Sequence, residues 1–310
     1  MRKLLSISLV AILSIGLLGG CSKSKEVKEN SGQEKASTPF KGEYVVDADY
    51  VKSKIGDENT IIVDARGEDV AKKGTIKGAI TTTWQYLATC EEGKPGDEMW
   101  GTILGKGELE KRLGELGLDK NKEIILFASS QEGWGEDGRI AWELIAAGYK
   151  NVKIADGGYD YLIKSGVEKG DLAKLDSVEV KIDKIDETHV INTKELEKNY
   201  KEYVVIDVRD DKEYDGATLY GEAKGGHLTG AKHIKFTDLF NEDTTLKSVD
   251  EIKAMFEKAG LKENDKIVTY CTGGIRSAYM QLVLEMVGYE NSQNYDESFY
   301  RWCAVNELEK

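Results

Sequence analysis

Histidine is scarce in this chain of 310 residues: His189, His227 and His233 stand far apart, and no Cys-x-x-Cys spacing accompanies them. No metal-ligand set is visible, because zinc sites of the structural or hydrolytic kind draw Cys, His and carboxylate donors at short spacings. Cysteine is nearly as rare, and Cys21, Cys90, Cys271 and Cys303 form no disulfide framework. A Cys90–Cys303 bridge is open to the chain outside the cytoplasm. The spacing does not argue for it, and both read as small apolar side chains. Positive charge is in deficit, with 43 Lys and Arg against 56 Asp and Glu, a net −13. Such a chain is unsuited to nucleic acid or to anionic lipid, so no nucleic-acid partner is expected. The excess acid reads as solvated surface.

A run of bilayer-spanning length is also missing. The apolar stretch over residues 4–18 is too short to cross and reads as the h-region of a signal segment behind Arg2 and Lys3. Leu18-Gly19-Gly20-Cys21 follows it. That ending resembles a bacterial lipoprotein cleavage box, with an ordinary signal peptide as the alternative. The resemblance implies that residues 1–20 are removed and that Cys21 carries lipid. The mature protein would then be extracytoplasmic, lipid-anchored to the cell membrane. Residues 21–43 are rich in Lys, Glu, Ser and Gly and poor in apolar side chains. They cannot bury enough surface to order themselves and read as a tether.

What remains suits two domains of ordinary size, and an internal repeat divides it. Ile61-Ile62-Val63-Asp64-Ala65-Arg66 is echoed by Val205-Ile206-Asp207-Val208-Arg209. Gly74-Thr75-Ile76-Lys77-Gly78-Ala79 is echoed by Gly226-His227-Leu228-Thr229-Gly230-Ala231. Ile124-Ile125-Leu126-Phe127 is echoed by Ile267-Val268-Thr269-Tyr270, and the stretch around Asp156 by that around Asp296. The domains are 44–165 and 188–308, joined by a polar linker over 166–187 with an edge strand expected at residues 178–182. Strands alternating with helical segments imply α/β domains, each a parallel sheet with helices on both faces.

The second repeat carries the chemistry. The β-branched and aromatic run 267–270 reads as a buried strand, and residues 278–287 as a helix stopped by Gly288. Between them lies Cys271-Thr272-Gly273-Gly274-Ile275-Arg276-Ser277. The glycines let the loop curl, so that successive N–H groups and the helix N-terminus converge on the sulfur. Arg276 adds positive charge. A thiolate in such a nest is stabilised, with its pKa below the free-thiol value of about 8.5.

This loop resembles the active loop of rhodanese-type sulfurtransferases. The strand ending in Asp207-Val208-Arg209, the turn Gly226 to Ala231, and Asn294-Tyr295-Asp296-Glu297-Ser298-Phe299-Tyr300-Arg301-Trp302 resemble further motifs of that family, in the same order. Glu297 stands where glycine is usual. The resemblance implies a tandem rhodanese that moves a sulfane sulfur through a persulfide on Cys271, held by residues 272–277, without a cofactor. Thiosulfate or 3-mercaptopyruvate would be the donor, and a thiol or cyanide the acceptor. Arg276 would bind the donor's sulfonate or fix the loop. Asp207 and Arg209 would tie the strand end to neighbouring loops, and Phe299 and Trp302 would be core or cleft wall. Thr272 stands where thiosulfate-using members tend to carry a basic residue. Glu213 stands where tandem members carry a substrate-binding arginine.

The first repeat has no cysteine after its strand. It reads Ala128-Ser129-Ser130-Gln131-Glu132-Gly133-Trp134-Gly135-Glu136-Asp137. A hydroxyl without an adjacent base is a weak nucleophile, and the acids oppose an anion, so this domain reads as inactive and as one wall of the cleft. Two other readings compete: a non-catalytic sulfur-binding or carrier lipoprotein, and a cysteine phosphatase or arsenate reductase. The phosphatase pattern places five residues between Cys and Arg. Here Thr272, Gly273, Gly274 and Ile275 intervene, a tighter ring that suits a single sulfur atom better than a phosphoryl group.

Overall fold

The computed structural model describes residues 38–310. The expected signal segment, Cys21 and the tether as far as residue 37 lie outside the described residues. The repeat builds two five-stranded parallel sheets of identical strand order. In the first, Val45–Val46, Val152–Ala155, Glu123–Phe127, Thr60–Asp64 and Ile80–Thr81 lie side by side. In the second, Val190–Ile191, Ser292–Tyr295, Ile267–Tyr270, Val204–Asp207 and Lys232–His233 do the same. The central strand Ile267–Tyr270 is buried along its whole length. Its unbroken β-branched and aromatic run fits a strand covered on both faces.

The helices Glu136–Ala146 and Ile275–Met286, each following its sheet's central strand, pack on one another across the domain boundary. Gly138 permits that approach, since a Cβ there would lie 2.2 Å from the Tyr279 ring. One apolar core therefore runs from Ile124, Leu126 and Leu144 through to Ile206, Ile267 and Leu282.

Four sequence expectations meet the structure here. Arg209 donates to Asp207 at 2.6 Å and to the Gly226 carbonyl at 2.8 Å. Arg66 does the same with Asp64 at 2.6 Å and Gly74 at 2.7 Å. Each guanidinium lies 3.8 Å from the centre of an aromatic ring, Phe299 or Tyr159. Both Asp-x-Arg motifs thus pin a strand end to the following turn, and Phe299 and Trp302 belong to the core.

The helix expected from residue 278 begins at Ile275 instead. Gly274 takes φ 86°, which completes the turn early and puts Ile275, Arg276 and Ser277 into the first helical turn. The edge strand expected at residues 178–182 does not form. The segment lies along the first domain, with Val180 and Ile182 buried and the Val178 amide donating to the Gly114 carbonyl at 3.0 Å. Its alternation buries side chains against a helix surface rather than extending a sheet.

Candidate active site

Cys271 leaves the strand at the point where the chain turns into the helix, and its side chain is almost wholly enclosed, at 1% exposure. The Gly274 amide donates to Sγ at 3.2 Å, and the Ser277 hydroxyl stands 3.6 Å away. Gly274 is confined to glycine twice over. Its φ is in the left-handed region, and a Cβ would lie 2.6 Å from the Asp296 carbonyl oxygen. The loop is gripped from behind by Ser298–Val305. The Cys271 amide donates to Ser298 Oγ at 2.9 Å, Ser298 Oγ donates to the Cys271 carbonyl at 3.0 Å, and the Tyr300 amide donates to the Thr272 carbonyl at 2.9 Å. Burial pushes the Cys271 thiol up. The Arg276 guanidinium, the amide and hydroxyl of Ser277 and the Gly273 amide outweigh it, so its pKa lies below the ordinary value.

Glu213 explains the departure noted at its position. It is fully buried and receives both arms of Arg276, Nη1 on Oε2 and Nη2 on Oε1, each at 2.8 Å. The Thr272 hydroxyl donates to Oε1 at 2.6 Å. Burial raises the Glu213 pKa, but the guanidinium and the hydroxyl hold the carboxyl below its usual range. The fork of Arg276 is thus engaged with a carboxylate in a bidentate pair, while its side chain still lines the space over the sulfur.

The first domain reaches the same loop through Arg139. This fully buried side chain donates to Asp296 Oδ1 at 2.5 Å, to Glu143 at 2.7 Å, to the Gly274 carbonyl at 3.1 Å and to the Gly101 carbonyl at 3.2 Å. Asp296 Oδ2 receives the Ile103 amide at 2.9 Å. Glu297, where glycine was expected, receives the Met99 amide at 2.9 Å and the Thr193 hydroxyl at 2.6 Å. Neighbouring carboxylates thus hold a loop of the first domain against the second. In the first domain's own loop, Ser130 donates its hydroxyl to the Thr244 carbonyl at 2.7 Å. It serves the domain contact.

A cavity of about 200 Å³ opens over the sulfur. Cys271, Thr272, Gly273, Ile275 and Arg276 line it, while Gly274 and Ser277 hold the sulfur from the loop side. The other walls are Trp84, Gln85, Trp100, Trp134, Tyr220 and Tyr300. These rings, Glu213 as the partner of Arg276, and Arg139 escaped the sequence reading. The available signal was Trp100 and Trp134, isolated aromatics in otherwise polar loops. Among the described residues no cluster of His, Cys, Asp and Glu is arranged to hold a metal, Cys90, Cys271 and Cys303 are free thiols, and no helix is long and apolar enough to cross a membrane.

Known proteins resemble this chain over most of its length. A Haloferax volcanii protein named "Putative thiosulfate sulfurtransferase" is 25% identical over 293 residues, covering 86% of this chain and 96% of its own. The Thermus thermophilus "Sulfur carrier protein TtuD" is 25% identical over 285 residues, covering 84% of this chain and 93% of its own. Among solved structures, wild-type EanB superposes with a TM-score of 0.75 at 20% identity, over 86% of this chain and 69% of that one, a likeness of fold. The rhodanese-like domain matches twice, over residues 47–164 and 192–305. The chain belongs to the rhodanese-like family, as a tandem sulfurtransferase member.

Proposed function

We propose that this protein transfers a sulfane sulfur through a persulfide on Cys271. The observation that carries the reading is the sulfur itself, enclosed by N–H and O–H donors at the floor of a cavity sized for a small molecule. The Cys271 thiolate attacks the outer sulfur of a donor such as thiosulfate. The donor's S–S bond breaks, sulfite leaves with the electron pair, and the terminal sulfur stays in the ring of amides. A thiolate or cyanide then attacks that terminal sulfur and the pair returns to Cys271. The route is ping-pong with a covalent intermediate and needs no general base.

Because Arg276 is paired with Glu213, thiosulfate meets no uncommitted guanidinium in the loop. We therefore assign it slow use with a high KM, with 3-mercaptopyruvate as the alternative donor. The first domain supplies the opposite wall and no second nucleophile. The proposed anchor is a lipid on Cys21, and Cys21→Ala should release the chain to the soluble fraction.

Intact-mass analysis after incubation with each donor tests the reading. Cys271 should gain one sulfur, about 32 Da, Cys271→Ser should gain none, and cyanide should discharge the adduct catalytically. Loading without turnover would favour a sulfur carrier. Aryl phosphate hydrolysis lost in Cys271→Ser would overturn sulfur transfer in favour of phosphatase chemistry.

A further inference from the structure

The rings over Cys271 come from both domains: Trp84, Trp100 and Trp134 from the first, Tyr220 and Tyr300 from the second. Two edge-to-face pairs cross the domain seam, Trp100 with Tyr300 at 5.6 Å and Trp134 with Tyr220 at 5.4 Å between centroids. The rings are held in place. The Met99 and Ile103 amides on either side of Trp100 donate to Glu297 and Asp296, each at 2.9 Å. The Tyr300 hydroxyl donates to the Tyr220 carbonyl at 2.9 Å. Indole and phenol faces carry negative potential and attract a cation brought within about 6 Å of the ring centre.

The charges nearby point the same way. Among the described residues, Arg276 is the one cation lining the cavity, and Glu213 neutralises it. The Tyr220 amide donates at 2.8 Å to one oxygen of buried Glu222, whose other oxygen has no partner. A dianion entering here would face aromatic walls, an anionic sulfur and no uncommitted positive charge. An organic cation would face the aromatic rings and an anionic sulfur, with the one guanidinium neutralised by Glu213.

We propose, building on the sulfur-transfer reading, that this cleft selects a small quaternary-ammonium thiol as its sulfur acceptor. The ammonium head sits among the rings while the thiolate attacks the terminal sulfur of the Cys271 persulfide. The bond between that sulfur and Cys271 Sγ breaks, its electron pair stays on Cys271, and the acceptor leaves as a persulfide. No oxidant or reductant is consumed.

Tryptophan fluorescence of the full-length Cys271→Ser chain separates binding from chemistry. Choline should bind about tenfold more tightly than its neutral isostere 3,3-dimethylbutan-1-ol, and Trp100→Leu or Trp134→Leu should remove most of that difference. Equal affinity, or no response to choline, would overturn the proposal. In a second arm the wild-type chain is loaded with inorganic polysulfide and discharged with thiocholine or 2-mercaptoethanesulfonate, each rate referred to its rate with a free persulfide. Thiocholine should show about a tenfold lower half-saturating concentration. A preference for the sulfonate would overturn the proposal. Failure of Cys271 to load at all would instead count against sulfur transfer, and the choline titration would still decide what the cleft binds.

Discussion

Arg139, in the first domain, donates to Asp296 Oδ1 at 2.5 Å and, through the same nitrogen, to the Gly274 carbonyl at 3.1 Å. The first domain therefore holds the turn on which the Cys271 sulfur rests. Arg139→Met would leave Asp296 and Glu143 buried without their cation. Breaking such a pair costs about 3–5 kcal/mol. The urea midpoint should fall accordingly, sulfur transfer should drop as the Gly274 turn loosens, and Asp296→Asn in the same chain should restore part of the stability. An unchanged midpoint would mean that the pair is dispensable.

Glu213 and Arg276 set the charge seen by the sulfur. Glu213→Gln removes the carboxylate and leaves the guanidinium with a neutral partner, the nearest remaining acid being Asp210 at 3.8 Å. More positive potential then reaches Cys271, so its thiolate should form at a lower pH than in the parent. The pH profile of iodoacetamide alkylation should shift downward, and the KM for thiosulfate should fall as the guanidinium becomes available to a sulfonate. A profile shifted upward would contradict this account of the pair.

Gly274 tests the loop geometry directly. Gly274→Ala combines a left-handed backbone with a Cβ placed 2.6 Å from the Asp296 carbonyl oxygen. The turn must open, carrying its amide away from Cys271 Sγ. Sulfur transfer should fall at least tenfold, about 1.4 kcal/mol or more of lost stabilisation, and the alkylation midpoint of Cys271 should rise. Retained activity with an unshifted midpoint would show that the Gly274 amide is not needed.

Much of this was readable along the chain because it is local. The strand Ile267–Tyr270, the Gly-Gly turn and the cysteine are neighbours in sequence, and the two Asp-x-Arg motifs close on turns 17 and 8 residues downstream. The walls of the cavity were not readable for the opposite reason. Trp84, Trp100 and Trp134 reach Cys271 only when helices of two domains pack at Gly138 and Tyr279, and nothing in a polar loop says which seam it will face. Glu213 looked like the loss of a binding arginine. Its pairing depends on Arg276, 63 positions away. The helix starts three residues before its apolar spacing predicts because the left-handed conformation of Gly274 ends the loop there.

Asp137 gives the fold a pH dependence with a definite sign. It lies in the first turn of Glu136–Ala146 at 2% exposure, with the Gly138 amide on Oδ1 at 2.9 Å. Burial, then the charge of Glu136, pushes its pKa up to about 7. Between the ordinary carboxylate pKa of about 4 and this value, the native state holds a proton that the unfolded chain has released. Its contribution to stability therefore declines as pH rises through that interval and is level above and below it. Asp137→Asn keeps an acceptor for the Gly138 amide and removes the charge. The variant should match the parent near pH 4 and exceed it at pH 8 by on the order of 2–4 kcal/mol. Urea midpoints at the two pH values measure this. A variant less stable than the parent at pH 8 would show that the ionised carboxylate is held favourably, the opposite of what its burial imposes.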